Sequence, residues 1–272
     1  MTSAVDRWRA DLEAWALPRE LLDAVDESPY GWPADLFRRR QQAASGSSPT
    51  VERTAELAGD GGAVLDIGAG TGRIGLALAR RGHPVTLVEQ SEAMLHVLET
   101  DAADVPGATV VAGSWPDVDA GAHDAVVAAN VVYDVQEIGP FLGAAFDRAR
   151  RALVLEATPR HPWAHLTPYY RRLHDLDRPD GPTVDDLVDV VEEVTGRTPE
   201  VERWVEPAGM RFADHQELLD LLARRLLVPD DRRSELLDVV GPDIVEAEGW
   251  LYLGDPVREA VLVVVRRRDG LR

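Results

Sequence analysis

The chain has 272 residues, no cysteine and a formal net charge of −19. That composition excludes disulfides, thiolate metal sites and a cysteine nucleophile. It also argues against nucleic acid as a partner, because a phosphate backbone needs cations and here 48 acids face 29 arginines with no lysine at all.

A 45% hydrophobic, 28% charged chain of this length buries a sizeable core as one large domain, or one domain with an appendage. No apolar run approaches the roughly 18 residues of a membrane span. Residues 1–8 lack the basic segment and apolar core of a signal peptide, so a cytoplasmic location is expected.

Residues 5–27 carry apolar side chains at helical spacings, interrupted by Pro18. An aromatic turn with Tyr30 and Trp32 follows, then a predicted helix over 34–44 that carries the arginine run Arg38-Arg39-Arg40. Ser45-Gly46-Ser47-Ser48-Pro49 reads as a connection or a helix start, and residues 50–58 as a helix. The first 50 residues thus form a helical lid or flank.

Val64-Leu65-Asp66-Ile67 reads as a buried strand, and Gly68-Ala69-Gly70-Thr71-Gly72 as a tight glycine turn. A helix is predicted from about Arg73 to Arg81, with its free N–H groups aimed at a ligand. A second strand, Val85-Thr86-Leu87-Val88, ends in Glu89, about 20 residues past the first glycine, where a carboxylate can accept from both ribose hydroxyls. This β-α-β unit is built to hold a nucleoside. The dinucleotide pattern G-x-G-x-x-G would need glycine where Arg73 stands. Asp66 puts negative charge where a pyrophosphate would sit, which suits a cationic or zwitterionic ligand better.

Asp66-Ile67-Gly68-Ala69-Gly70-Thr71-Gly72 with Glu89 resembles the first two motifs of class I S-adenosylmethionine-dependent methyltransferases. The likeness covers roughly residues 62–158 and is strongest over 64–89. It implies a Rossmann-like, doubly wound, mostly parallel seven-stranded sheet with an antiparallel last strand. It implies S-adenosylmethionine as the cofactor, held by Asp66, Gly68, Ala69, Gly70, Gly72, Glu89 and Gln90.

The alternation continues with a helix over 92–100, strands at 109–112 and 124–129, a helix over 137–149 and a strand at 152–157. Ligands sit at the carboxyl ends of such strands. Met94 is therefore a candidate to pack on adenine. Ser114 stands where similar enzymes often place an acid for the adenine amino group, with Trp115 beside it to stack and Asp117 as a further acid. Asn130, the chain's only asparagine, follows the fourth strand and is a candidate for the methionine end.

Residues 159–200 carry two helical patterns, 166–176 and 183–195, and read as an insertion that shapes the acceptor pocket. Tyr133 and Asp134 are expected to line that pocket with the N-terminal lid. His161, His165 and Tyr133 are the candidate catalytic groups, since a neutral histidine can take an acceptor's proton. Two histidines are too few for a metal, and none is expected. Residues 201–272 complete the sheet: a strand at 201–206, helices at 214–227 and 231–239, and 250–253 paired with 260–265.

These observations predict methyl transfer to an O, N or C atom of a small molecule by a monomer or homodimer. Two alternatives remain: a catalytically silent cofactor-binding module, and an NAD(P)-dependent oxidoreductase.

Overall fold

The computed structural model describes residues 2–25, 29, 48–208 and 210–267. Its centre is a seven-stranded sheet in the order β3-β2-β1-β4-β5-β9-β6. The strands are β1 (Val64–Ile67), β2 (Val85–Glu89), β3 (Ala108–Ala112), β4 (His123–Ala129), β5 (Ala149–Ala157), β6 (Glu200–Pro207) and β9 (Val257–Arg266). The first five run parallel, whereas β9 is inserted between β5 and β6 and runs antiparallel to both.

Both faces of the sheet are covered, which is why its central strands are apolar without interruption. The strand period of two then sorts the side chains. Leu65, Ile67, Val126, Ala128, Leu153 and Leu155 face one core. Val64, Ala125, Val127, Ala152 and Val154 face the other. Helices α1 (Ala4–Ala14), α6 (Ile138–Arg148) and α8 (Val184–Thr195) cover the first face. Helices α3 (Pro49–Ala58) and α4 (Gly75–Arg80) cover the second, joined by Leu98 of α5 (Glu92–Ala102).

Local signals explain the helix ends. Ser3 caps α1 by accepting from the Asp6 N–H at 3.0 Å, and the fully buried Trp8 of that helix donates its indole N–H to the Val135 carbonyl. Thr183 and Asp186 form a reciprocal capping box at the start of α8. A short helix α2 (Arg19–Leu22) follows Pro18, the break expected inside 5–27. The helix expected from Arg73 begins at Gly75 instead.

A third core lies apart from the sheet. It joins α7 (Thr167–His174), α9 (His215–Arg225), α10 (Arg233–Val240) and a two-stranded sheet of β7 (Ile244–Ala247) and β8 (Trp250–Leu253). The expected pairing of 250–253 with 260–265 is therefore corrected. β8 pairs with β7 through a turn at Glu248-Gly249, both with positive φ, and β9 pairs only with β5 and β6. Residues 159–200 do not pack as one unit either: α7 belongs to this third core, whereas α8 packs on the sheet. Among the described residues, 210–253 join that third core, and β6 and β9 complete the sheet. The helix expected over 34–44, with Arg38-Arg39-Arg40, and the rings of Tyr30 and Trp32 lie outside the described residues. No helix among the described residues is long and apolar enough to cross a membrane.

Candidate cofactor and acceptor site

At the carboxyl ends of β1, β2 and β4 lies a cavity of about 580 Å³. The chain leaves β1 through Gly68, whose φ is +66° and whose N–H donates to the Val88 carbonyl. A Cβ there would meet the Val131 side chain at 2.6 Å, so the position needs glycine. Glu89 then fixes the loop. One of its oxygens accepts from the Gly70 N–H at 2.8 Å, and the other accepts from the N–H groups of Gln90 and Ser91. The carboxylate expected to meet the ribose thus also pins the loop that faces it.

Asp66 is 2% exposed and accepts the Gly75 N–H at 2.8 Å, ahead of the first turn of α4. Burial pushes its carboxyl up to about 7, against the pull of that hydrogen bond and of Arg73. This amends two expectations. The leading N–H of α4 is occupied rather than open to a ligand, and Asp66 carries a full negative charge only toward the alkaline side of neutrality.

Asp66, Gly68, Ala69, Gly70, Glu89, Gln90, Met94, Ser114, Trp115 and Asn130 all line this cavity. Gly72 does not: its φ of +88° turns the chain beneath Leu76 and Leu98, which a Cβ would strike. The Ser114 hydroxyl donates to the Gln90 side-chain oxygen at 3.0 Å. Trp115 is tied to α6 through its indole N–H on the Phe141 carbonyl. Asp117 lies outside the lining.

Asn130 adopts a left-handed φ of +58°. It is held by Glu156, whose carboxylate accepts from the Asn130 amide at 2.6 Å and whose carbonyl accepts from the Asn130 N–H. Glu156 has no exposed surface, and it also takes the Arg73 guanidinium at 2.5 Å and the Thr50 hydroxyl. Arg73 lines the same cavity. Sequence reasoning used Arg73 only to reject a dinucleotide pattern and missed Glu156 altogether. The one available signal was an acid ending an apolar strand, which is the same signal that marked Glu89.

A second cavity of about 350 Å³ adjoins the first, and Asp134 and Gln136 line both. Its other walls come from α1 and the segment after it (Leu12, Trp15, Ala16, Leu17), from Tyr133 and His161, and from Trp163, Tyr170, Arg178 and Arg225. His161 stacks on Trp15 with ring centroids 3.9 Å apart. Its Nδ1 accepts the Trp163 N–H, and burial, helped by Arg178, lowers its pKa to about 3. It is a neutral wall rather than a base near neutral pH. Tyr133 donates its hydroxyl to the Thr158 carbonyl, and burial raises it to about 12, so it too keeps its proton. His165 is exposed, holds the Pro162 carbonyl and is not among the described residues that line either cavity. Asp134 keeps accessible surface where it borders both cavities, and desolvation still raises its carboxyl, with Arg225 pulling the other way.

Residues 64–155 match the family described as "Methyltransferase domain". Over those residues the match supports the likeness to class I S-adenosylmethionine-dependent methyltransferases. The fold is shared with a solved Bacillus halodurans C-125 protein assigned as a methyltransferase. That likeness has a TM-score of 0.56 at 18% identity and covers 82% of this chain and 100% of that one. It is shared as well with magnesium protoporphyrin IX methyltransferase from Synechocystis PCC 6803 with bound SAH (TM-score 0.50, 14% identity, covering 93% and 94%). At these identities the likeness concerns the fold. Among curated proteins, the ribosomal RNA small subunit methyltransferase A of Myxococcus xanthus is 42% identical over 74 residues, which is 26% of this chain. The chain spans about a quarter of that curated relative's length.

The larger cavity lies at the strand ends where the sheet order reverses, the place where folds of this kind bind their ligands. Its polar groups include Glu89, Asp66, Gln90, Ser114, Asn130 and Arg73. This donor set fits an adenosyl ligand with a charged amino-acid tail: acids for hydroxyls and an ammonium, and a guanidinium for a carboxylate.

Proposed function

We propose that the protein transfers a methyl group from S-adenosylmethionine to a small molecule held in the smaller cavity. The single observation that carries this reading is that two cavities meet at Asp134 and Gln136. A cofactor in the larger one would then present its methyl group to an acceptor in the smaller one. S-adenosylmethionine supplies an activated methyl on a sulfonium. The chain's part is to align the acceptor with it and to keep water out. Glu89 would take the ribose hydroxyls with the lone pairs that its three backbone donors leave free. Trp115, anchored on α6, and Met94, 5% exposed, would flank the adenine. Arg73 and Asn130, both fixed by Glu156, would meet the amino-acid end.

A small acceptor is favoured over RNA by charge and by enclosure. The net charge of −19 repels phosphates, and a pocket walled by buried rings admits no helix. The test is calorimetry with S-adenosylhomocysteine and with NAD(P), followed by turnover of S-adenosylmethionine over a panel of phenols, carboxylic acids and amines. Binding of NAD(P) alone would overturn the reading. Binding of S-adenosylhomocysteine without turnover of any acceptor would leave a silent module.

A further inference from the structure

The chemistry of the smaller cavity narrows the acceptor, and this step rests on the methyltransferase reading above. Its walls are rich in flat rings: Trp15 stacked with His161, Tyr133 set edge-on to His161 at 5.5 Å, and Tyr170 and Trp163 in the same lining. Slots between rings select planar ligands, because ring faces and edges gain from stacking what a bulky aliphatic chain cannot. A volume of about 350 Å³ is at the lower end of ligand pockets and suits one or two fused or linked rings.

The polar lining is unequal in sign. Among the described lining residues, two are permanent cations, Arg178 and Arg225, and one is an acid, Asp134. This stands out in a chain where acids outnumber arginines 48 to 29. Both guanidiniums are held in place. Arg225 is 6% exposed, lies 4.2 Å over the Trp163 ring and donates to the Pro29 carbonyl. Arg178 lies over Trp15 and Tyr170 and donates to the carbonyls of Trp15 and Ala16. A guanidinium held in place over an aromatic ring keeps its planar N–H fork in a fixed position, and that fork matches a carboxylate. The acid, Asp134, stands at the junction of the two cavities, near enough to Arg225 to feel its charge.

We infer that the acceptor is a planar aromatic acid, its carboxylate held by Arg225 and Arg178 and its hydroxyl or amino nucleophile placed at Asp134, beside the cofactor's methyl group. In the transfer, a lone pair of the nucleophile forms the new bond to the methyl carbon while the carbon–sulfur bond breaks. Sulfur keeps that electron pair and becomes a neutral thioether. The proton displaced from the nucleophile passes to the Asp134 carboxylate and from there to solvent. His161 and Tyr133 shape the slot and take no proton. A cationic amine would meet two guanidiniums and is rejected by the same lining.

The experiment is calorimetry on the full chain saturated with S-adenosylhomocysteine, titrated with hydroxybenzoates and hydroxycinnamates, their neutral amides, and tyramine. The expected result is that at least one acid binds about tenfold or more tighter than its own amide, the scale of a hydrogen-bonded charge against a neutral group. Tyramine binds weakest. Arg225→Gln abolishes the preference for acid over amide while amide affinity persists. Should that buried substitution prevent folding, Arg178→Gln reads out the same loss. Asp134→Asn leaves the acid's affinity within a few-fold but lowers turnover of a binding acid by about a hundredfold or more. Equal binding of acid and amide, preference for tyramine, or no binding by any acid overturns the inference and leaves the methyltransferase reading intact. Failure of S-adenosylhomocysteine itself to bind overturns that underlying reading instead.

Discussion

The Arg73 guanidinium donates to the Glu156 carboxylate across 2.5 Å, and Glu156 has no exposed surface. The pair ties the end of the glycine loop to the end of β5, with Asn130 and Thr50 bonded to the same carboxylate. A charge buried this deeply is tolerable only while its partners are present. Glu156→Gln removes the carboxylate paired with the Arg73 guanidinium, leaving it the longer-range attraction of Glu206 and Asp66, and weakens the hold on Asn130. The expected cost is about 3–5 kcal/mol of folding stability, read from urea denaturation, with weaker uptake of S-adenosylhomocysteine by whatever fraction stays folded. Unchanged stability would show that solvent, not Glu156, compensates Arg73.

Asp66 and His161 are perturbed in opposite senses, and their effects on stability oppose each other. Asp66 sits at about 7 when folded against 3.8 as an ordinary carboxylate, so the native state holds more protons between those values. Its contribution to stability therefore falls as pH rises from about 4 to about 7. His161 sits at about 3 when folded against 6.5, so the unfolded state holds more protons there. Its contribution rises over nearly the same window and is fully present above about 6.5. Each contribution is of the order of a few kcal/mol, and together they nearly cancel. Asp66→Asn should expose the histidine slope, so stability relative to wild type climbs from about pH 4.5 to 6.5. His161→Phe should expose the opposite slope. Denaturant titrations of the three proteins at both pH values check this: parallel pH profiles would refute it.

The raised Asp66 carboxyl also couples to the ligand. A sulfonium or ammonium in the adjoining cavity favours the ionised acid, so binding should release a proton near neutral pH. The affinity for S-adenosylmethionine is expected to increase up to about pH 7 and level off above it. Calorimetry in buffers of different ionisation enthalpy counts the proton. Asp66→Asn should remove both the release and the pH dependence.

The legible part of this site is the part written locally. Asp66, the glycine turn and Glu89 lie within one β-α-β unit, where spacing alone puts them at adjacent strand ends. The sheet was equally legible, because strands buried on both faces show as unbroken apolar runs. What sequence could not show were partners set by tertiary packing. Glu156 meets Arg73 and Thr50 across 83 and 106 positions. Nothing near Trp15 announces that it stacks on His161, and without that stack His161 reads as a base. β8 was given the wrong partner because Gly254-Asp255-Pro256 is a louder turn signal than Glu248-Gly249, although the latter makes the hairpin.

Gly68 offers a test of the loop that does not depend on any ligand. Alanine there meets two separate penalties. A φ of +66° costs an L-residue about 1–2 kcal/mol. The new methyl would also lie 2.6 Å from the Val131 side chain, an overlap that forces the loop or Val131 to move, at about 1–3 kcal/mol. Gly68→Ala should therefore lose about 2–5 kcal/mol and displace the backbone facing the cavity. Val131→Ala opens the space but leaves the dihedral strained. The double variant should then recover only the overlap component, giving a coupling energy of about 1–3 kcal/mol in a double-mutant cycle. Strict additivity would mean that Val131 yields freely, and that glycine is required at this turn for its backbone angle alone.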